Sequence, residues 1–260
     1  MFSWRARRQL IALLVVISVI GVIFIVNIRK IIPVSTCFDN KLNQGETEID
    51  CGGPCASCEL KHPKEITVFW TKFLQIREGS FDIAAYIQNP NEFISSSDIR
   101  YEFVLFDDLG IVAYRAGTTF IYPRERIYLV EADIQTSRKP TYAELKITRA
   151  AWNSEKLNLP VLTIDKKDYK ILEQDGPSES VETTVSNRSP FGLREVELVF
   201  VVLDKNENLL GVNRSLLEDM EARSSRSLRS TWPEKFKGIP AKVVVEPRTN
   251  LFKTSAILQP

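Results

Sequence analysis

The four cysteines of this 260-residue chain, Cys37, Cys51, Cys55 and Cys58, fall within 22 residues in the pattern C-x13-C-x3-C-x2-C. Thiols this close can pair as disulfides, ligate a metal or carry out redox chemistry. An even number clustered after an apolar N-terminal stretch predicts two disulfides in an oxidising compartment, with three connectivities open. The rival is a four-thiolate zinc site. Cys55 and Cys58 have suitable ligand spacing for it, but Cys51 to Cys55 makes a poor first half, and such a site requires a reducing side. A thioredoxin-like pair needs its first thiol at a helix N-terminus, whereas Gly52-Gly53-Pro54 makes a turn before Cys55.

Oxygen donors crowd the interval between the first two cysteines. Asp39, Asn43, Glu46 and Asp50 invite a calcium reading, but the helix-loop-helix template fails: Lys41 stands at its third position, Gln44 where glycine turns the chain, and Asp50 where a bidentate Glu belongs. Side-chain caps and turns account for Asp39 and Asn43 equally well, so calcium bound outside that template is the alternative.

Elsewhere the means for catalysis are sparse. The single histidine, His62, lies in a linker, so a Ser or Cys triad is hard to assemble. Asp107 and Asp108 could act as acid and base, but adjacency is expected among 33 acidic residues. Phosphate-loop, dinucleotide and metalloprotease motifs are missing, so a protein that is not an enzyme and needs no cofactor is expected. Binding surfaces favour Trp, which makes Trp70, Trp152 and Trp232 the binding candidates against core packing or domain contact; Pro233 suggests that Trp232 is partly exposed. Asn187-Arg188-Ser189 and Asn213-Arg214-Ser215 fit the glycosylation pattern, with Pro190 disfavouring the first.

The elements that position these residues begin with the stretch from Leu10 to Ile28, 19 uncharged residues. At about 1.5 Å per residue it matches the hydrocarbon thickness of a bilayer, and it predicts a transmembrane anchor. Ile28-Arg29-Lys30-Ile31-Ile32-Pro33 offers no small-x-small cleavage site, so the anchor is expected to be retained. Flanking charges nearly tie, Arg5, Arg7 and Arg8 against Arg29, Lys30 and Lys41, and the disulfides place residues 1–9 in the cytoplasm and the bulk outside. Residues 31–260 hold 29 basic against 33 acidic side chains, which argues against nucleic acid or anionic lipid as a partner of the body.

The segment from Cys37 to Cys58 contains every fixed position of C-x-D-x3-N-x2-E-x3-D-C-G-G-x-C-x2-C. It resembles a short Cys-rich module of secreted and surface proteins, and the resemblance implies an extracellular structural module without catalytic activity.

From Glu65 onward, short runs rich in Val, Ile, Phe and Tyr alternate with Gly, Pro, Asn and Asp. The first half predicts strands over 66–76, 81–88, 99–106, 111–120, 127–134 and 143–148, and the second over 162–164, 169–174, 180–186, 193–203, 209–212, 224–230 and 241–245. Ser215 to Ala222 is ambiguous with helix. Asn89 matches Asn187, Asp107 matches Asp204, and Leu145-Lys-Ile147 matches Val243-Val-Val245, at a spacing of 97 or 98 residues. That period signals a duplicated domain of immunoglobulin size. Tyr101, Phe103 and Leu105 share one face, Val104 and Phe106 the other, and the cleaner alternation from Arg194 predicts a sheet with one wet face.

The hairpin Tyr101 to Val112 after Gln88-Asn89-Pro90-Asn91 resembles the late-embryogenesis-abundant and water-stress sandwich families. It is equally similar to the bacterial family named for its Phe-x-Leu-Tyr-Asp motif, whose place is held by Val104-Leu105-Phe106-Asp107 and Val202-Leu203-Asp204. The resemblance implies adhesion-like, scaffold or ligand-contact roles without a shared active site.

The expectation is therefore a mostly β protein: a cytoplasmic tail (1–9), an anchor (10–28), a Cys-rich stalk (29–62) and two immunoglobulin-like sandwiches (63–155 and 156–260). The membrane through residues 10–28 and a protein are its expected partners, nucleic acid is not, and a small-molecule ligand is left open. The expected function is noncatalytic binding or scaffolding outside the cytosol. The alternatives are an accessory subunit of a membrane enzyme or secretion machine, and an extracytoplasmic enzyme using carboxylates.

Overall fold

A computed structural model of the chain describes residues 4–31, 36–172 and 179–258. The chain divides into two compact units, Met1–Cys58 and Glu59–Pro260.

In the first unit, helix α1 covers Trp4–Ile31. Its window Arg7–Phe24 has a mean hydropathy of 2.1 and is buried nowhere, so the helix is long and apolar enough to cross a membrane. An apolar surface on every side leaves it no wet face, unlike an amphipathic helix packed on a soluble core. The segment that follows is a run of tight turns closed by two disulfides, Cys37–Cys55 and Cys51–Cys58. Asn40, Gln44 and Asp50 adopt left-handed backbone, as do Gly52 and Gly53. At the glycine pair nothing larger fits: a Cβ would stand 2.4 Å from Thr47 Oγ1 at Gly52 and 2.4 Å from the Gly45 carbonyl at Gly53.

The second unit contains twelve strands among the described residues. The first half comprises β1 (Thr67–Arg77), β2 (Ser80–Gln88), β3 (Ser95–Asp107), β4 (Gly110–Ile121), β5 (Arg126–Gln135) and β6 (Tyr142–Asn153). The second comprises β7 (Leu162–Ile171), β8 (Glu179–Asn187), β9 (Leu193–Leu203), β10 (Leu209–Met220), β11 (Ser225–Trp232) and β12 (Lys242–Arg248). The sheets run β1-β2-β5 and β4-β3-β6 in the first half, β7-β8-β11 and β10-β9-β12 in the second. Adding six to each strand number turns one half into the other, so both halves are sandwiches of the same topology, as the repeated spacing predicts.

Period-two alternation sets each core. Ile83, Ile87, Tyr101, Phe103, Leu105, Ile127 and Leu129 fill the first; Val181, Val185, Val196, Leu198, Phe200, Val202 and Trp232 fill the second. Three sequence expectations change. The separate strands 162–164 and 169–174 are one strand, β7, with a register shift between Ile164 and Lys166, and residues 173–174 lie outside those described. The ambiguous stretch from Ser215 belongs to β10, because Leu217 and Met220 are needed in the second core. The wet face expected of β9 is buried, with Val199, Val201 and Leu203 no more than 3% exposed.

A buried asparagine holds the same corner in each half. Asn89 Nδ2 donates to the Ile94 and Tyr122 carbonyls at 2.8 and 2.9 Å, while its Oδ1 accepts the Asn91 N–H. Asn187 Nδ2 donates to the Phe191 and Glu221 carbonyls, and its Oδ1 accepts the Ser189 N–H. The residue two positions on then ties down the incoming chain: Asn91 Nδ2 donates to the Lys64 carbonyl, and Ser189 Oγ accepts the Val161 N–H. Asn89→Ala and Asn187→Ala each leave buried carbonyls without donors, and each should cost about 2–4 kcal/mol in urea denaturation. Non-reducing peptide mapping should return only Cys37–Cys55 and Cys51–Cys58, out of the three pairings the sequence allows.

Candidate functional site

A cleft of about 320 Å³ lies where the two sandwiches meet. It exists because the outer face of sheet β1-β2-β5 packs on the outer face of β10-β9-β12. Ala84, Tyr128 and Val130 of the first half bury against Val199, Val201, Leu203, Leu209 and Val212 of the second, with Trp70, Leu74, Tyr86 and Val244 at the margin. Tyr86 and Tyr128 stack across β2 and β5 with ring centroids 4.5 Å apart, and Trp70 lies 5.8 Å from Tyr128.

Polar groups fix the alignment of the two sheets. Strand β5 is an edge, and its unpaired backbone groups would otherwise invite another strand. Arg214 Nη2 of β10 donates to the Val130 carbonyl at 3.0 Å, and Glu246 Oε2 of β12 accepts the Tyr128 N–H at 2.9 Å. Next to this, Arg248 Nη2 donates to the Phe120 carbonyl at 2.7 Å, its guanidinium carbon lies 4.2 Å from the Phe120 ring centre, and its Nε is 3.5 Å from Glu125 Oε1. Tyr122 Oη donates to the Thr249 carbonyl and accepts the Leu251 N–H.

The cleft is walled by Arg214, Arg248 and Lys253 together with Asp98, Glu195 and Glu197. Each of these cations has an acidic neighbour: Arg214 reaches Glu131 and Glu197, Arg248 reaches Glu125, and Lys253 reaches Glu195. Tyr101 Oη donates to Glu131 Oε1 at 2.9 Å, and burial together with that carboxylate holds the phenol far above its ordinary range. Among these groups there is no hydroxyl or thiol set against a histidine, since the lone His62 is exposed in the linker. What the arrangement does chemically is clamp one sheet to another.

The residues singled out from sequence lie elsewhere. Trp232, expected to be partly exposed, is 5% exposed and donates from Nε1 to the Val212 carbonyl, because the second core closes over it with Phe200 and Phe236. Trp152 packs against the first core. Trp70 is the one that borders the junction, with Lys72 Nζ 4.9 Å from its ring centre. Asp107 makes the β3–β4 turn, accepting the Leu109 N–H and facing Arg138, and Asp108 is exposed beside it. Asn187 is fully buried in its corner, and Asn213 donates to the Thr231 carbonyl.

Asp39, Asn43, Glu46 and Asp50 do come together: the three carboxylates accept N–H groups, while Asn43 donates from Nδ2 and its Oδ1 is buried without a hydrogen-bond partner among the described residues. Asp50 accepts the N–H groups of Asp39 and Asn40, Asp39 accepts the Lys41 N–H and Asn43 Nδ2, and Glu46 accepts the N–H groups of Asn43 and Asp50. Glu48, Cys51 and Cys58 are also close enough to share an ion, but the two sulfurs are bonded to each other and offer no thiolate. The junction residues Arg214, Glu246 and Arg248 were missed from sequence. Their available signal was the apolar run Leu198 to Leu203, which has no alternation and so marks a strand covered on both faces.

Burial pushes the Glu246 carboxyl up to about 7, against the pull of the Tyr128 N–H and Arg248, with Glu125 and Glu197 adding to the rise. An acid whose folded pKa is raised holds its proton longer folded than unfolded, so it lowers stability as pH climbs from about 4.5 to about 7, by about 3 kcal/mol in all. Glu246→Gln keeps an acceptor for Tyr128 and removes the charge. Urea midpoints at pH 5 and pH 8 should fall less in this variant than in the wild type.

No protein-family model matches this chain, and no curated protein matches it at a significant level.

Proposed function

We propose that this is a noncatalytic, membrane-anchored protein that stands outside the cytosol and holds a protein partner or an envelope assembly at a set height from the membrane. The observation that carries this reading is the junction: two sandwiches joined through a buried apolar face and edge-capping side chains make a spacer of fixed length. The span-length apolar helix and the paired cysteines support the anchor and the oxidising side. The topology and the repeat of nearly a hundred residues support an immunoglobulin-like kinship for the two sandwiches.

The free faces of the body differ, and this supports a side for the partner. On β7-β8-β11 the outward row is polar: Glu182 receives Lys170 and Arg229, and Thr184 hydrogen-bonds Ser227. On β4-β3-β6 one end is apolar. Ile111 and Tyr142 flank Phe106 in register, Tyr114 sits opposite Val104, and Tyr114 is 69% exposed. Aromatic side chains beside charged ones, such as Lys146 over Phe106 at 5.8 Å, are the composition of protein-binding surfaces.

A photo-crosslinking residue at Tyr114 or Tyr142, in the full chain in native membranes, should trap one discrete protein adduct, while the same residue at Thr184 should trap none. Equal or absent adducts at all three sites would remove the partner reading. Protease digestion of intact cells should cut the body and spare residues 1–9.

A further inference from the structure

The disulfide module is built inside out. Its carboxylates Asp39, Glu46 and Asp50 turn onto backbone N–H groups, while Phe38, Leu42 and Ile49 are 90%, 62% and 49% exposed. A 22-residue segment closed by two disulfides has no apolar core in which to hide them. Asp50 accepts the N–H groups of Asp39 and Asn40, which brings together the backbone segments that carry Ile49 and Phe38. The sequence sets how far Phe38 can lie from α1: it follows Ile31 by seven positions, a reach of about 25 Å even fully extended.

We propose that the module lies on the membrane surface from which α1 emerges, with Phe38, Leu42 and Ile49 inserted at the boundary between headgroups and acyl chains. This rests on the anchor reading given above. A free peptide with three apolar side chains would bind lipid weakly, but the covalent tether supplies a high local concentration, so a small transfer energy is enough. The module carries four acidic residues and one lysine, so its attraction is apolar, and zwitterionic lipid is the surface it fits.

The test uses the full chain carrying Phe38→Trp, reconstituted in phosphatidylcholine vesicles, with wild type supplying the background from Trp4, Trp70, Trp152 and Trp232. The added emission should be blue-shifted, quenched at least twofold by lipid brominated near the headgroup, and little affected by aqueous iodide; a share of phosphatidylglycerol should weaken the effect. Quenching by iodide with no effect of brominated lipid would overturn the proposal, and shielding from both quenchers would overturn it in favour of a protein cover. Flotation with the vesicles after alkaline extraction separates the two readings. A chain that floats while the introduced indole faces water keeps the anchor and loses the inserted module, and a chain that does not float loses both. Non-reducing mass mapping of the variant checks that both disulfides have formed.

Discussion

The second half of this molecule presents a row of aliphatic side chains on both faces of β9, and only one face can be served by its own sandwich. Val196, Leu198, Phe200 and Val202 fill the core, while Val199, Val201 and Leu203 point the other way and are fully buried. Leaving the latter wet would forfeit roughly 1.5–3 kcal/mol for each side chain, comparable to a sizeable part of a domain's net stability. The stacking of sheet β1-β2-β5 on β10-β9-β12 follows from that constraint. The junction then decides which edges are capped, which carboxyl loses its water and which faces stay open.

The two halves share a topology, but their outer faces carry different residues. The operation that takes the first half to the second would continue indefinitely if every repeat carried both complementary faces, which is how head-to-tail contacts produce filaments. Here the outer faces have changed. The position of Val199 is held by Glu102 in the first half and that of Glu197 by Arg100, while Tyr86 and Ala84 correspond to Thr184 and Glu182 in the second. The first half keeps one apolar corner around Phe106, Tyr114 and Tyr142.

The cysteine module obeys different physics. With no core of its own it depends on crosslinks, left-handed turns and carboxylates that satisfy backbone N–H groups, so Gly52, Gly53 and Asp50 are as necessary to it as its sulfurs. The same oxygen donors that suggested an ion are the means by which the chain makes its turns, because an Asx side chain within reach of a free N–H is a turn before it is a ligand.

The amino-acid sequence alone determined what is local and periodic. The apolar stretch predicts α1, strand alternation predicts nearly every element of both sandwiches, the spacing of Asn89 and Asn187 predicts their repetition, and the cysteine cluster predicts crosslinks. Tertiary structure decided which cysteine joins which, that β10 runs on to Met220 as a strand, and that the outer face of β9 is dry. Trp232 shows why. Its neighbour Pro233 argues locally for exposure, yet Phe200, Phe236 and the Val212 carbonyl close around it from distant parts of the chain. Arg214, Glu246 and Arg248 likewise read as ordinary polar residues of exposed strands. They become a clamp only when the edge strands β5 and β4, more than eighty residues away in sequence, come within hydrogen-bonding distance, because burial and partner identity are properties of the assembled chain.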